Sequence, residues 1–204
     1  MTDFYHEGNR ELQEQFDTKR LADRVSDIVK DHIDDNDRQL IERRDMFFLA
    51  TTDEHGHTNC SYKGGEPGFV RVIDGRTIAF PNYDGNGMYL SMGNVLQTKQ
   101  VGLLFIDFEN QWRMRLNGEA SIDAADPLMA EYPEAQFIVR VTAREVFPNC
   151  PRYIHKYQLV QRSKFVPKSE CKTPVPSWKT GGWVDDVLPA ADIARDPSRE
   201  VVDR

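Results

Sequence analysis

The sequence lacks most of what marks a disulfide frame, a metal centre or a membrane span. Its 204 residues include three cysteines, Cys60, Cys150 and Cys171, an odd and widely spaced set without a CxxC pair. That pattern excludes a disulfide framework and a zinc site, and it points to reduced thiols in a cytoplasmic protein. No apolar run approaches the roughly 20 residues that cross a bilayer. The opening MTDFYHEGNRELQEQFD is acidic and helical in character, unlike a secretory leader. Positive charge is in deficit too. With 26 Lys and Arg against 33 Asp and Glu, the net charge is −7 and no basic cluster stands out. Nucleic acid and anionic membrane are therefore not expected as main partners, while a small anionic ligand held by local donors remains compatible. HExxH, GxSxG, GxGxxG and a P-loop lysine are all missing, so no catalytic or nucleotide signature announces itself.

Patterned segments fill the rest. Residues 10–44 read as helix, with Leu12, Phe16, Leu21, Val25, Ile28 and Val29 at helical spacing and a break at Asp34, Asp35 and Asn36. From Met46 the texture becomes that of strands. MFFLATT, the turn cluster DEHGHTN and CSYKGG form one expected hairpin. GFVRVID-GR-TIAF forms a second, whose Asp74-Gly75 is a type I′ turn signal. A helix over roughly 86–97 would carry Met88, Met92, Val95 and Leu96 as one apolar stripe. VGLLFID (101–107) suits a strand buried on both faces. QWRMRLNGEASI (111–122) alternates, with Trp112, Met114 and Leu116 opposite Gln111, Arg113 and Arg115. A short helix near 126–132 leads to the long strand pattern QFIVRVTAREVF, 136–147. About six strands with one helix inserted after the fourth favour a mainly β fold, a closed or nearly closed antiparallel barrel with flanking helices. The expected organisation is a helical extension over 1–44, a barrel domain over 45–160 and a tail over 161–204.

Three features bear chemistry. Arg113 and Arg115 stand about 7 Å apart on one strand face, close enough to share a phosphate, although a solvated face is the default for charged residues. Lys63 followed by Gly64-Gly65 puts one point charge beside backbone that a ligand can approach. The stretch FPNYDGNGMYLSMGNV places Asn82, Tyr83, Gly85, Asn86 and Gly87 at the mouth of a helix, where backbone N–H groups can take an anion or the asparagines can cap. Cys150, Arg152, Tyr153 and His155 crowd into NCPRYIH, yet a Cys-His nucleophile pair there has no evident orienting partner.

The run NCSYKGGEPGFVRV, then FPNYDGNGMYLSMGN, VGLLFIDF and WRMRLNGEA, resembles the pyridoxamine 5′-phosphate oxidase-like proteins, FMN-binding split β-barrels, over about residues 45–147. It is more similar to an oxidase-related bacterial subgroup than to the biosynthetic oxidase. The resemblance implies a homodimer with flavin at the interface. It implies that Lys63, Asn82, Tyr83, Arg113 and Arg115 contact the cofactor, and the open helix mouth adds Asn86 and Gly87 to that expected set. The resemblance further implies that Cys150, Arg152, Tyr153 and His155 lie on the substrate side. Gly85-Asn86-Gly87 and Thr58 stand where the biosynthetic oxidase carries phosphate-binding cations, so oxidation of pyridoxamine 5′-phosphate is not expected. The implied activity is that of an FMN-dependent oxidoreductase without a metal. The alternatives are a non-enzymatic flavin or haem binder, an F420-dependent reductase on the same fold, or a plain interaction module.

Overall fold

The computed structural model describes residues 4–203; residues 1–3 of the N-terminal stretch and Arg204 of the tail lie outside the described residues. Three short helices come first: α1 (Glu7–Gln15), α2 (Lys19–Ser26) and α3 (Asp35–Glu42). Seven strands then form one antiparallel sheet: β1 (Met46–Thr52), β2 (Thr58–Gly64), β3 (Arg71–Val72), β4 (Thr77–Asn82), β5 (Gln100–Asp107), β6 (Trp112–Asp123) and β7 (Phe137–Pro148). Helix α4 (Leu90–Thr98) sits between β4 and β5, as the sequence implies. The order across the sheet is β2-β1-β5-β6-β7-β4-β3, so β2 and β3 are its two edges.

The sheet coils into a split antiparallel barrel, and aromatic side chains hold it coiled. Phe47 on β1 meets Phe105 on the neighbouring β5, with ring centroids 5.3 Å apart. It also meets Phe80 on β4 at 5.0 Å, although three strands separate β1 from β4 in the sheet. Phe69 stacks on the same ring from the turn after β2. Strand twist brings the two ends of the sheet together, and these buried rings occupy the space between them. Leu49, Leu103, Met114, Leu116, Ile138 and Val146 complete the core. The β6–β7 pairing has a bulge between Asn117 and Gly118, where the backbones run so close that a Cβ on Gly118 would lie 2.1 Å from the Thr142 carbonyl oxygen. Only glycine permits that approach.

Several expectations need correction. The N-terminal region is three helices, not two. Asp17, at φ 52°, ends the run containing α1, and Asp34 begins α3 by accepting hydrogen bonds from the Asn36 and Asp37 N–H groups. The true break is upstream, where Lys30 exchanges two backbone hydrogen bonds with Val146 of β7. Leu12, Phe16, Leu21, Val25 and Ile28 are all exposed. Gly75 does not take the positive φ that a type I′ turn needs; instead the Asp74 carboxylate accepts from the Arg76 N–H and shapes a wider loop. Strand β5 is buried on one face and half-buried on the other. Trp112 is exposed, unlike Met114 and Leu116. The short helix near 126–132 is a 3-10 turn over Pro127–Glu131, capped by Asp126. The tail is no loose drift. Two-residue strands β8 (Val175–Pro176) and β9 (Val201–Val202) pair in parallel, and Val175 and Val184 are buried.

Phe47→Ala is expected to cost about 3–5 kcal/mol of stability, the usual range for a large aromatic removed from a core. Urea denaturation followed by tryptophan fluorescence would show it as a lowered midpoint.

Candidate functional site

The barrel is split, and a cleft of about 860 Å³ lies along the seam between edge strand β2 and the end of β4. That volume is in the range of small-molecule pockets. Strand β2 forms one wall. Asn59, Ser61 and Lys63 alternate toward the interior, pairing across the ladder with Thr51, Leu49 and Phe47. Facing them are the end of β4 and the loop of residues 83–89. Ser91, buried in the first turn of α4, joins the two walls: its hydroxyl lies 3.0 Å from the Ser61 hydroxyl and accepts from the Asn59 side-chain amide at 3.4 Å. A segment from Tyr157 to Pro167 crosses the mouth, with Tyr157, Leu159, Arg162 and Phe165 among the lining residues.

Two cations on the lining lack a partner among the described residues, the exposed Arg43 and the half-buried Lys63, and Lys63 is the one held inside the wall. It is half-buried beside the core ring of Phe47, and among the described residues no carboxylate or hydrogen-bond acceptor pairs with its ammonium. Burial accordingly pushes its pKa below the ordinary lysine value. Arg44, also on the lining, is already committed to Asp107 at 2.8 Å. Arg162 reaches Asp45 and Glu66 only at 3.7 and 3.8 Å. Tyr83 points a phenol into the same region; burial first, then the nearby Tyr132 and Glu66, push its pKa up to about 12. It is a neutral hydrogen-bonding group at any ordinary pH.

The loop of residues 83–89 is built to stay open. Helix α4 begins at Leu90, later than the sequence spacing predicts, because Tyr89 adopts φ 49° and ψ 27° at its N-cap. Met88 is consequently exposed and outside the helical stripe. The Asn86 side chain accepts from the Met88 N–H, and Gly87 has φ 75°. No atom lies within 4 Å of a Cβ built on Gly85 or Gly87, which leaves this backbone approachable from the cleft. Asn82 is buried and serves the scaffold: its amide donates to the Tyr83 carbonyl and to the Gln136 side-chain oxygen. Gln136 also accepts from the Tyr89 hydroxyl at 3.0 Å and thereby fastens both ends of the loop.

Of the residues singled out from sequence, Lys63, Asn82, Tyr83, Asn86 and Gly87 line the cleft. Arg113 and Arg115 do not. They share the opposite sheet face, across from Ile106 and Leu104 of β5. Arg113 Nε is buried without a partner. Arg115 is exposed, stacks its guanidinium over Phe147 at 6.0 Å and borders a separate hollow of about 330 Å³ under the N-terminal helices. Cys150, Arg152, Tyr153 and His155 also lie off the cleft. They form no helical turn, and Arg152 turns back to donate to Cys150 Sγ at 3.1 Å. The Arg152 backbone N–H first, and its guanidinium next, hold the Cys150 thiol below its ordinary value. Sequence reading missed Asn59, Ser61 and Ser91. The first two were visible as the i, i+2, i+4 companions of Lys63 on one strand face.

A family model described as pyridoxamine 5′-phosphate oxidase matches residues 33–162. No curated protein matches the chain. Among solved structures, HupZ of Group A Streptococcus is 17% identical, covering 57% of this chain and 93% of that one, with a TM-score of 0.46. An FMN-binding protein of Syntrophomonas wolfei is 15% identical, covering 68% and 97% of the two chains, with a TM-score of 0.44. The haem storage protein HutZ of Vibrio cholerae is 17% identical, covering 57% and 94%, with a TM-score of 0.40.

The Lys63 charge has a measurable cost. Its amine has a lower pKa folded than unfolded, so below the folded value the penalty is full, and it fades as pH rises toward the unfolded value. Lys63→Met is expected to stabilise the ligand-free protein by roughly 1 kcal/mol at pH 7, and the gain should shrink toward about pH 10. Denaturant titrations of both proteins at the two pH values check this.

Proposed function

The chain belongs to the pyridoxamine 5′-phosphate oxidase family, and on that premise we propose that it is an FMN-binding oxidoreductase acting on a small molecule as a homodimer. The observation that carries the reading is Lys63: a half-buried cation without a partner among the described residues, in a cleft wall that also presents the Asn59 amide, the Ser61 and Ser91 hydroxyls and the open backbone of Gly85 and Gly87. A protein keeps such a group when a ligand supplies the missing charge.

The residues present fit a flavin phosphate and its polyol chain. Lys63 would give a charge-assisted hydrogen bond; Ser61, Ser91 and the Asn59 amide would serve hydroxyl groups. The open backbone of Gly85, Asn86 and Gly87 would offer N–H donors where the chain carries no cation. A bound flavin would itself supply the electron-accepting ring, so no side-chain acid, base or nucleophile is required of the protein. Tyr83 stays protonated and can donate. The crossing segment Tyr157–Pro167 would exclude water from the cleft, and its long ion pairs through Arg162 leave it free to move when ligands enter. Arg113, Arg115 and the Cys150–His155 stretch, which face away from this cleft, would be the contribution of one protomer to its partner's site.

A second reading, flavin binding without turnover, is favoured by the uncharged Gly85-Asn86-Gly87 loop. Reduction by NAD(P)H in stopped-flow separates the two: a bound flavin that no nicotinamide reduces identifies a binding protein. F420 as cosubstrate is tested by the same assay with the reduced deazaflavin.

Purified protein should absorb as a flavoprotein or take up FMN on titration, and light scattering should give twice the chain mass. Lys63→Met should weaken FMN binding about 10- to 100-fold, the loss of a charge-assisted hydrogen bond of about 1.5–3 kcal/mol. A colourless protein that takes up no FMN rejects the proposal.

A further inference from the structure

Lys179 is the one lysine with a buried side chain among the described residues, 2% exposed, and it lies in the tail, remote in sequence from the barrel. Its ammonium donates to Asp84 Oδ2 at 2.6 Å and to Asp192 Oδ2 at 2.8 Å. Burial acts to lower its pKa, but the hydrogen bonds to Asp192 and Asp84 outweigh that and raise it, so it stays charged. Asp192 is nearly buried; its other oxygen accepts from the Ala194 N–H, and it lies off the cleft. Asp84 is different. It lines the cleft, keeps 31% of its side chain exposed and is the only charged residue between Tyr83 and Tyr89.

An aspartate in a phosphate cradle is an electrostatic contradiction. In a partly desolvated cleft a carboxylate repels a phosphate strongly enough to matter for affinity. The chain brings a cation to it from a long way off. The 3-10 turn Ser177–Thr180 carries Lys179, the β8–β9 pair ties its two flanks, and Glu134 anchors the whole piece by accepting from Arg199 at 2.7 Å and from the Thr173 N–H at 3.3 Å. We propose that Lys179 is a positioning residue for an anionic ligand in the seam cleft: by cancelling the charge of Asp84 it lets the uncharged loop accept a phosphate ester. This rests on the flavin reading of the cleft.

The test compares FMN with riboflavin, which differ only in the phosphate, in fluorescence titrations of the full chain. Lys179→Met should weaken FMN at least about tenfold while changing riboflavin by less than about threefold. The triple variant Asp84→Asn, Asp192→Asn and Lys179→Met should recover FMN binding to within about threefold of the wild type, because both carboxylates that Lys179 neutralises are then uncharged. Asp84→Asn alone should bind FMN at least as tightly as the wild type, a readout that stands even if Lys179→Met fails to fold. Equal losses for both ligands, no recovery in the triple variant, or weaker FMN binding in Asp84→Asn would each overturn the role of Lys179 while leaving the flavin reading intact. Wild-type protein that binds neither ligand overturns both.

Discussion

The Phe47 ring touches Phe80 at a centroid distance of 5.0 Å across a gap that no hydrogen bond spans. Much of the molecule follows from that contact. Seven strands could stay an open twisted sheet with one greasy face, and a sheet of that size cannot hide such a face alone. Packing β1 against β4 through Phe47, Phe69, Phe80 and Phe105 rolls the sheet so that the face buries itself. Edge strand β2 faces the end of β4 across the cleft without pairing to it. Helix α4 lies against β1 and β2, and the seam that remains is a slot with polar backbone and side chains on its lips. A fully hydrogen-bonded barrel would have no such slot. The place for a ligand is thus the part of the barrel that side-chain packing closes and hydrogen bonding does not.

The same geometry explains the charge at the slot. Strand β2 alternates, so residues facing the core ladder must face inward even where the core ends. Lys63 sits directly opposite Phe47, at the point where the interior gives way to the seam. A lysine there loses part of its hydration to the neighbouring ring and gains no partner in return, which works against folding. Its position is set by strand register: a shift of one residue would turn Lys63 outward and bring Tyr62 in. Tyr62 instead packs on Phe48 at the outer face, in a T-shaped contact at 6.1 Å. Local stability is given up at a position where a ligand's negative charge would restore it.

Strands were legible because their signals are local. MFFLATT forms β1 over the same seven residues, and the QWRMRLNGEASI and QFIVRVTAREVF patterns become β6 and β7 within a residue or two at each end. Helix placement at the N-terminus was only partly legible, because the apolar spacing of Leu12, Phe16 and Leu21 reports amphipathicity and says nothing about what covers the stripe. The start of α4 was misplaced because glycine and asparagine permit a turn as readily as a helical entry, and Tyr89 in a left-handed conformation decides the matter. Of the residues singled out from sequence, Lys63 on β2 and Asn82, Tyr83, Asn86 and Gly87 at and after the end of β4 line one cleft. Arg113 and Arg115 do not, since alternation shows that two side chains share a face but not which face meets the cleft.

The tail was the least legible part, and it shows why a site can be incomplete in sequence. Proline, serine and aspartate in residues 161–204 read as solvated chain, yet such residues also make turns and caps, and Asp192, Asp196 and Pro176 do that work here. The chain's net charge of −7 says little about the cleft, because the relevant electrostatics are set within a few ångströms by which carboxylates are already neutralised. Arg44 is matched to Asp107, Lys179 to Asp84 and Asp192, and Arg199 to Glu134 and Asp196. Around the seam these pairings occupy Arg44, Lys179 and Arg199, and they leave Lys63 as the half-buried cation without a partner among the described residues. On the flavin reading, a site for an anion in an acidic protein would depend as much on cancelling nearby carboxylates as on supplying positive charge. The cancelling residue can come from a segment that no strand or loop pattern connects to the site.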